Sequence, residues 1–224
     1  MSKETFCTND ILSGNEWNDY LELMKECPDL FVQDPLLMIE TDINKIMRYE
    51  AENHVKIGVV YQSPFHIFVV DLVYDNTGKY FTYERCIPRI KKGAVVALPV
   101  YKDKLVLLKQ FRHSIRQFQY AFPRGFGEAG ISSEENLKKE VCEELGADIL
   151  RFSKIGSVIS NSGLSSDKAD VFYCEITEPI QKTGYESISE LILLSIDEMK
   201  QWLSEGRIDD GFSLSALCLY LNSL

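Results

Sequence analysis

The chain is poor in the residues that build metal cages and covalent staples. Its three histidines, His54, His66 and His113, are isolated from one another. Its six cysteines (Cys7, Cys27, Cys86, Cys142, Cys174 and Cys218) are widely scattered, with no Cys-x-x-Cys pair. These absences exclude a zinc site recognisable by spacing and a disulfide framework. The thiols are expected to be reduced and mostly buried in a cytoplasmic protein, and each histidine to serve packing or the surface. No apolar run of 18 residues, secretory signal or lipidation motif is present, so no membrane association is expected. Positive charge is also scarce. Against 34 Asp and Glu there are 24 Lys and Arg, giving a net charge of −10 at pH 7. That balance argues against a nucleic-acid or anionic-membrane partner. No internal repeat, low-complexity tract, helix-turn-helix or basic DNA-binding segment is evident.

What remains is ample material for a core. Hydrophobic residues make up 45% of the 224, with 12 Phe and 11 Tyr. This length accommodates one domain of about 150 residues plus an extension. Residues 1–54 read as a helical extension. Trp17, Tyr20, Leu21 and Met24 recur at helical spacing, as do Leu36, Ile39, Ile43, Ile46 and Met47, with Cys27-Pro28-Asp29 and Gln33-Asp34-Pro35 as breaks. The extension carries no catalytic pattern, which leaves packing, dimer formation or shaping of a substrate cleft. Residues 55–224 read as the main domain. Strands are expected over Lys56–Gln62, His66–Tyr74, Lys79–Ile87, Gly93–Tyr101, Lys104–Phe111, Ile149–Ser160, Ala169–Thr177 and Glu190–Leu194. Two helices close the chain, over about Asp197–Glu205 and Gly211–Leu221. Strands on both sides of one internal helix, followed by terminal helices, give an α/β layered domain with a mixed sheet.

The internal helix is the most informative element. Ser132 can act as N-cap with Glu135 completing a capping box, and Gly146 supplies a left-handed stop. Leu137, Val141 and Leu145 form an apolar stripe. Beside it, Glu140 and Glu144 lie about 40° apart on the helical wheel and Glu143 about 60° to the other side. Like charges so spaced destabilise an isolated helix by roughly 0.2–0.5 kcal/mol per pair. A solvated acidic face and a site for a hard divalent cation are both compatible with this stripe.

The preceding loop, Phe122-Pro123-Arg124-Gly125-Phe126-Gly127-Glu128, together with this helix resembles the signature of the Nudix hydrolases, Gly-x5-Glu-x7-Arg-Glu-U-x-Glu-Glu-x-Gly-U, where U is a bulky aliphatic. Gly125, Glu140, Val141, Glu143, Glu144 and Gly146 fall on the motif. Three positions depart from it: Ile131 stands where the family has its first glutamate, Lys139 replaces the arginine, and Ala147 the last aliphatic. The resemblance implies an α/β/α sandwich with a mixed sheet, here preceded by the helical extension. It also implies Mg²⁺ or Mn²⁺ held by Glu140, Glu143 and Glu144. Within the family, Gln110-Phe111-Arg112, the Ser162-Gly163 loop and the segment Gly206–Leu217 resemble the ADP-ribose pyrophosphatase branch.

The reaction so implied is attack of water on the pyrophosphate of a small nucleoside diphosphate derivative, with an ADP-ribose-like substrate favoured. Arg112, Arg116 and Arg124 are candidate phosphate clamps, each also readable as a surface salt bridge. Gly125, Ser162 and Gly163 are further substrate-binding candidates. Glu186 lies in the loop region from which the family often draws its general base. Tyr120, Phe122 and Phe126 could stack on a base or simply pack. A homodimer is a family-based expectation. The rival reading is a catalytically impaired module that binds a nucleotide as a sensor, motivated by Ile131.

Overall fold

The computed structural model describes residues 15–180 and 185–223. The chain divides into two compact units. The first ends at Arg89 and takes in Asn161–Ser166, and the second comprises Ile90–Ser160 and Asp167–Leu224.

The first unit begins with α1 (Glu16–Glu26), a 3₁₀ turn (Pro28–Phe31), β1 (Leu37–Ile39) and α2 (Ile43–Asn53). It continues with β2 (Gly58–Gln62), β3 (His66–Asp75) and β4 (Tyr80–Pro88). Strand β3 is the spine. It pairs antiparallel with β4 along its length and with β2 and β1 on its other edge. The helices bury their apolar faces on this sheet. Tyr20, Leu23, Cys27 and Phe31 share a core with Val59, Ile67, Val69 and Ile87. A division of the chain at residue 54 would pass through that core.

A buried ionic network ties helix to sheet. Arg85 donates from Nε to Asp71 Oδ2 at 2.6 Å and from Nη1 to the Leu30 carbonyl at 2.6 Å, while the Tyr20 hydroxyl donates to Asp71 Oδ1. Removing one member would leave a buried charge unpaired, so the network fixes one registry of helix on sheet.

One expectation fails in this unit. The helical spacing from Leu36 to Met47 does not yield one helix, because Leu37–Ile39 is a strand paired with Val73–Asp75. The Gln33 side chain accepts from Ile39 N and donates to Ile39 O, holding the segment extended. Only after the Asp42 N-cap does the chain become helical. Pairing at a sheet edge overrides a spacing that three short residues cannot distinguish from a helix.

The second unit contains β5 (Val95–Tyr101), β6 (Lys104–Arg112), β7 (Gln117–Ala121), β8 (Arg124–Gly125) and α3 (Ser133–Leu145). It is completed by β9 (Ile149–Ile159), β10 (Lys168–Ile176), β11 (Ile188–Leu194), α4 (Ile196–Ser204) and α5 (Gly211–Leu221). The sheet order is β11-β6-β5-β10-β9, with β7 on β6 and β8 on β5. The sheet is mixed, since β5 and β10 run parallel and the other pairs antiparallel.

Period-two alternation along β5 and β6 explains the layers. Val95, Ala97, Val106 and Leu108 face Leu137, Val141 and Leu145 of α3. Val96, Leu98, Leu105 and Leu107 face Met199 of α4 and Ala216 and Leu217 of α5. This unit is the expected α/β/α sandwich. Strands β7 and β8 were not expected. They turn the run from Gln117 to Gly125 into sheet and bring Arg124 and Gly125 opposite Val96 and Val95.

Among the described residues no helix is long and apolar enough to cross a membrane. Among the described residues no disulfide forms: Cys27, Cys86 and Cys174 are buried, Cys142 and Cys218 exposed, and Cys7 lies outside the described residues.

Candidate functional site

The site begins with the two ends of α3. Ser132 Oγ accepts from Glu135 N at 3.2 Å while Glu135 Oε2 accepts from Ser132 N at 2.8 Å, completing the capping box. Gly146 takes a left-handed conformation and returns its N–H to the Cys142 carbonyl. With both ends fixed, the helix rotates Leu137, Val141 and Leu145 into the core and carries Glu140 and Glu144 inward beside them. These two carboxylates are 9% and 3% exposed, so they do not form a solvated face. Glu143 points elsewhere. Its side chain is 39% exposed and lies 3.9 Å from Lys139 Nζ, and Lys139 also pairs with Glu128.

Strand β8 supplies the opposite wall. The Arg124 N–H donates to Glu144 Oε2 at 3.2 Å. Gly125 is required by close approach: a Cβ there would collide with the Glu140 carboxylate. The loop that follows is pinned by Asn136, which is wholly buried and donates to the carbonyls of Gly93 and Phe126 at 2.7 and 2.8 Å.

Electrostatics mark the glutamates as under-neutralised. Burial, then the nearby charges of Glu143 and Glu186, pushes the Glu140 carboxyl up to about 7. Burial, then Glu140 and Glu186, pushes Glu144 up to about 8, against the opposing pull of Arg112. Among the described residues neither is in a salt bridge. Glu186 sits in a 3₁₀ turn (Tyr185–Ser187) with left-handed backbone at both Glu186 and Ser187. The Glu186 carbonyl accepts from Gln110 Nε2 at 2.8 Å, which anchors that turn to β6.

The cationic side comes from β6 and β8. Arg112 is half-buried, its Nε has no partner among the described residues, and burial followed by repulsion from Arg124 lowers its pKa. Arg124 Nη1 pairs with Asp210 Oδ1 at 2.8 Å, and its guanidinium lies 4.9 Å from the Phe212 ring centroid. Arg112 thus acts on Arg124, Asp210, Glu144 and Glu186, while Arg124 meets Glu144 through its backbone N–H. The structure brings together Glu140, Glu144, Glu186, Arg112, Arg124 and Gly125.

The remaining candidates make other contacts. Arg116 occupies the turn between β6 and β7, where it contacts His113 Nδ1 at 2.9 Å and stacks over Phe111. Ser162 and Gly163 belong to the first unit, where the Gly163 carbonyl accepts from the Tyr83 hydroxyl at 2.9 Å. Phe122 is fully buried core, Tyr120 packs edge-on against Trp202, and Phe126 is exposed. Sequence reasoning overlooked Asp210 and Asn136. A signal for the first was present: Asp209-Asp210-Gly211 before an apolar run is an N-cap pattern.

The donor set can be tested against a hard divalent cation. Among the described residues no three His, Cys, Asp or Glu side chains form a group able to hold a metal alone. Mg²⁺, however, is usually held by one or two carboxylates with water and substrate phosphates completing its shell. Two buried, mutually repelling carboxylates fit that mode. They do not fit a closed protein cage.

No protein-family model matches the chain. An ADP-ribose pyrophosphatase of Escherichia coli (strain K12) is 26% identical over 137 residues, covering 55% of this chain. The chain spans 65% of the length of that relative. An ADP compounds hydrolase, NudE, from the same strain is 32% identical over 92 residues, covering 40% of this chain and 48% of the relative. Among solved structures, an ADP compounds hydrolase superposes with a TM-score of 0.64 at 19% identity, covering 76% of this chain and 92% of that one. The fold is therefore the mixed α/β fold of that hydrolase.

Proposed function

We propose that this chain is a metal-dependent Nudix hydrolase that cleaves the pyrophosphate bond of a small nucleoside diphosphate derivative, with an ADP-ribose-like compound as substrate. One observation carries the reading. Among the described residues the buried carboxylates Glu140 and Glu144 have no salt bridge, and they share a site with Arg112, whose charge acts on Glu144, and with Arg124, whose N–H meets Glu144. A divalent cation answers the first pair and a diphosphate answers the second. The relatives named for ADP-ribose and ADP compounds support the same substrate class.

In this reading Glu140 and Glu144 hold Mg²⁺ or Mn²⁺, and the more exposed Glu143 acts as an outer ligand or through water. When bound, the cation neutralises phosphate oxygens and polarises water. Arg112 and Arg124 bind and orient the diphosphate. Glu186 takes the proton as the water oxygen bonds to phosphorus and the bridging P–O bond breaks. Arg116 is assigned a secondary substrate contact. The proposed site residues Glu140, Glu144, Glu186, Arg112 and Arg124 all belong to the second unit, within the segment 55–224 that the sequence reads as the main domain. We infer a cytoplasmic protein, a homodimer, and no nucleic-acid or membrane partner.

The test is a turnover assay with ADP-ribose, NADH, nucleotide sugars and diadenosine polyphosphates in the presence of Mg²⁺. ADP-ribose is expected to be hydrolysed fastest. Tight nucleotide binding without turnover of any compound would sink the enzyme reading and favour the sensor, for which Ile131 in the glutamate position is the motivating departure.

A further inference from the structure

We propose that Asp210 is a positioning residue for the diphosphate-binding arginines, an inference that rests on the function proposed above. Its carboxylate is buried and engaged at both oxygens. Oδ2 accepts from Ser213 N at 2.9 Å and from Ser213 Oγ at 2.7 Å, which locks it to the start of α5. With Oδ2 fixed, the direction of Oδ1 is fixed, and Oδ1 meets Arg124 Nη1 at 2.8 Å.

The same cap reaches the strand that carries the arginine. Ser213 Oγ accepts from the Phe122 N–H at 2.9 Å, two residues before Arg124. Arg124 is thereby held at three points: its N–H on Glu144, its guanidinium edge on Asp210 and its plane against Phe212. The charge of Asp210 also acts on Arg112, whose buried Nε has no acceptor among the described residues. One carboxylate against two guanidiniums leaves a net positive charge in this cluster, the balance that a diphosphate needs. The N-cap of α5 and the orientation of the arginines are one device.

A helix cap alone would affect stability and nothing else. Asp210→Asn retains an oxygen able to cap Ser213 N, since Asn is as good an N-cap as Asp, but it removes the charge that holds Arg124. Asp210→Ser serves as the second variant, capping equally well without charge. With ADP-ribose and Mg²⁺, either variant is expected to raise KM about tenfold with kcat within about twofold, and to weaken ADP binding measured by calorimetry by a similar factor. Asp210→Asn in an Arg124→Ala background should add no further loss, because the two residues act through one contact. Ser195→Ala, which removes the cap of α4, should lower the melting temperature and leave KM unchanged.

Wild-type KM and ADP affinity in both Asp210 variants would overturn the inference, as would fully additive losses in the double variant. Failure of the wild-type protein to bind ADP or hydrolyse any compound would instead overturn the function on which it rests.

Discussion

Glu144 is the most buried carboxylate of the candidate site and the one whose charge is least favoured by its surroundings. Glu144→Gln preserves its shape and removes the charge that a cation would need. Turnover is expected to fall at least about 100-fold in steady-state assays, with the circular dichroism spectrum unchanged. The pH dependence follows from the sign of the shifts. Glu140 and Glu144 titrate near 4.5 when unfolded and at about 7 and about 8 when folded. The folded state therefore binds their protons more tightly, and without metal the stability these two groups contribute is fully present below about 4.5 and is lost as the pH rises through about 7 to about 8. A divalent cation prefers the charged carboxylates, so Mg²⁺ or Mn²⁺ should raise the melting temperature more at pH 8.5 than at pH 6. Thermal scans with and without metal check this, and an equal shift at both values would contradict it. The spacing of these glutamates was legible in the sequence because it lies within one turn of helix. The pairing of Arg124 with Asp210 was not, because 86 residues separate the partners and only the packing of α5 behind β8 unites them.

Helix α3 presents its site residues through the geometry of its ends. Ser132→Ala removes one half of the capping box, and unfolding in urea should show a loss of about 1 kcal/mol. Because the cap fixes where the first turn begins, Mg²⁺ affinity should weaken in parallel. Helix ends of this kind were readable from Ser132, Glu135 and Gly146, as were the long strands with clear alternation. Three short strands escaped. β1, with three residues, follows a proline-interrupted stretch whose apolar positions also satisfy helical spacing. β8 has two residues, too few for any periodicity, and pairs with Val95 and Val96 on the side of β5 that β6 meets only at Val100 and Tyr101. β7 pairs with β6 across a turn in which Arg116 takes a positive φ, a conformation for which arginine carries no sequence preference.

At the scale of the whole chain, the N-terminal helices do not behave as an appendage to the first sheet. Tyr20 and Phe31 pack against the strands they cover, and Tyr20 shares the Asp71–Arg85 network. A variant lacking residues 1–54 should leave Asp71 and Arg85 without their helical cover. It should melt at least about 5 °C below the full chain and bind a hydrophobic dye, both measurable by differential scanning fluorimetry. Unchanged melting would show that the extension is dispensable. Composition foresaw a core-rich protein, but the partition into units escaped it, because Asn161–Ser166 joins the first unit from within the sequence of the second.

Gly125 gives the candidate site a second means of adjustment. The charges are written on α3, yet where one of them rests is decided by the lack of a methyl group on the neighbouring strand. On the proposed reading, cation preference is open to retuning without touching an ionisable residue. An alanine at that position would evict the Glu140 carboxylate by volume alone, leaving formal charge, helix caps and arginines as they are. Selectivity at such a centre is as much a property of bare backbone as of the acids beside it.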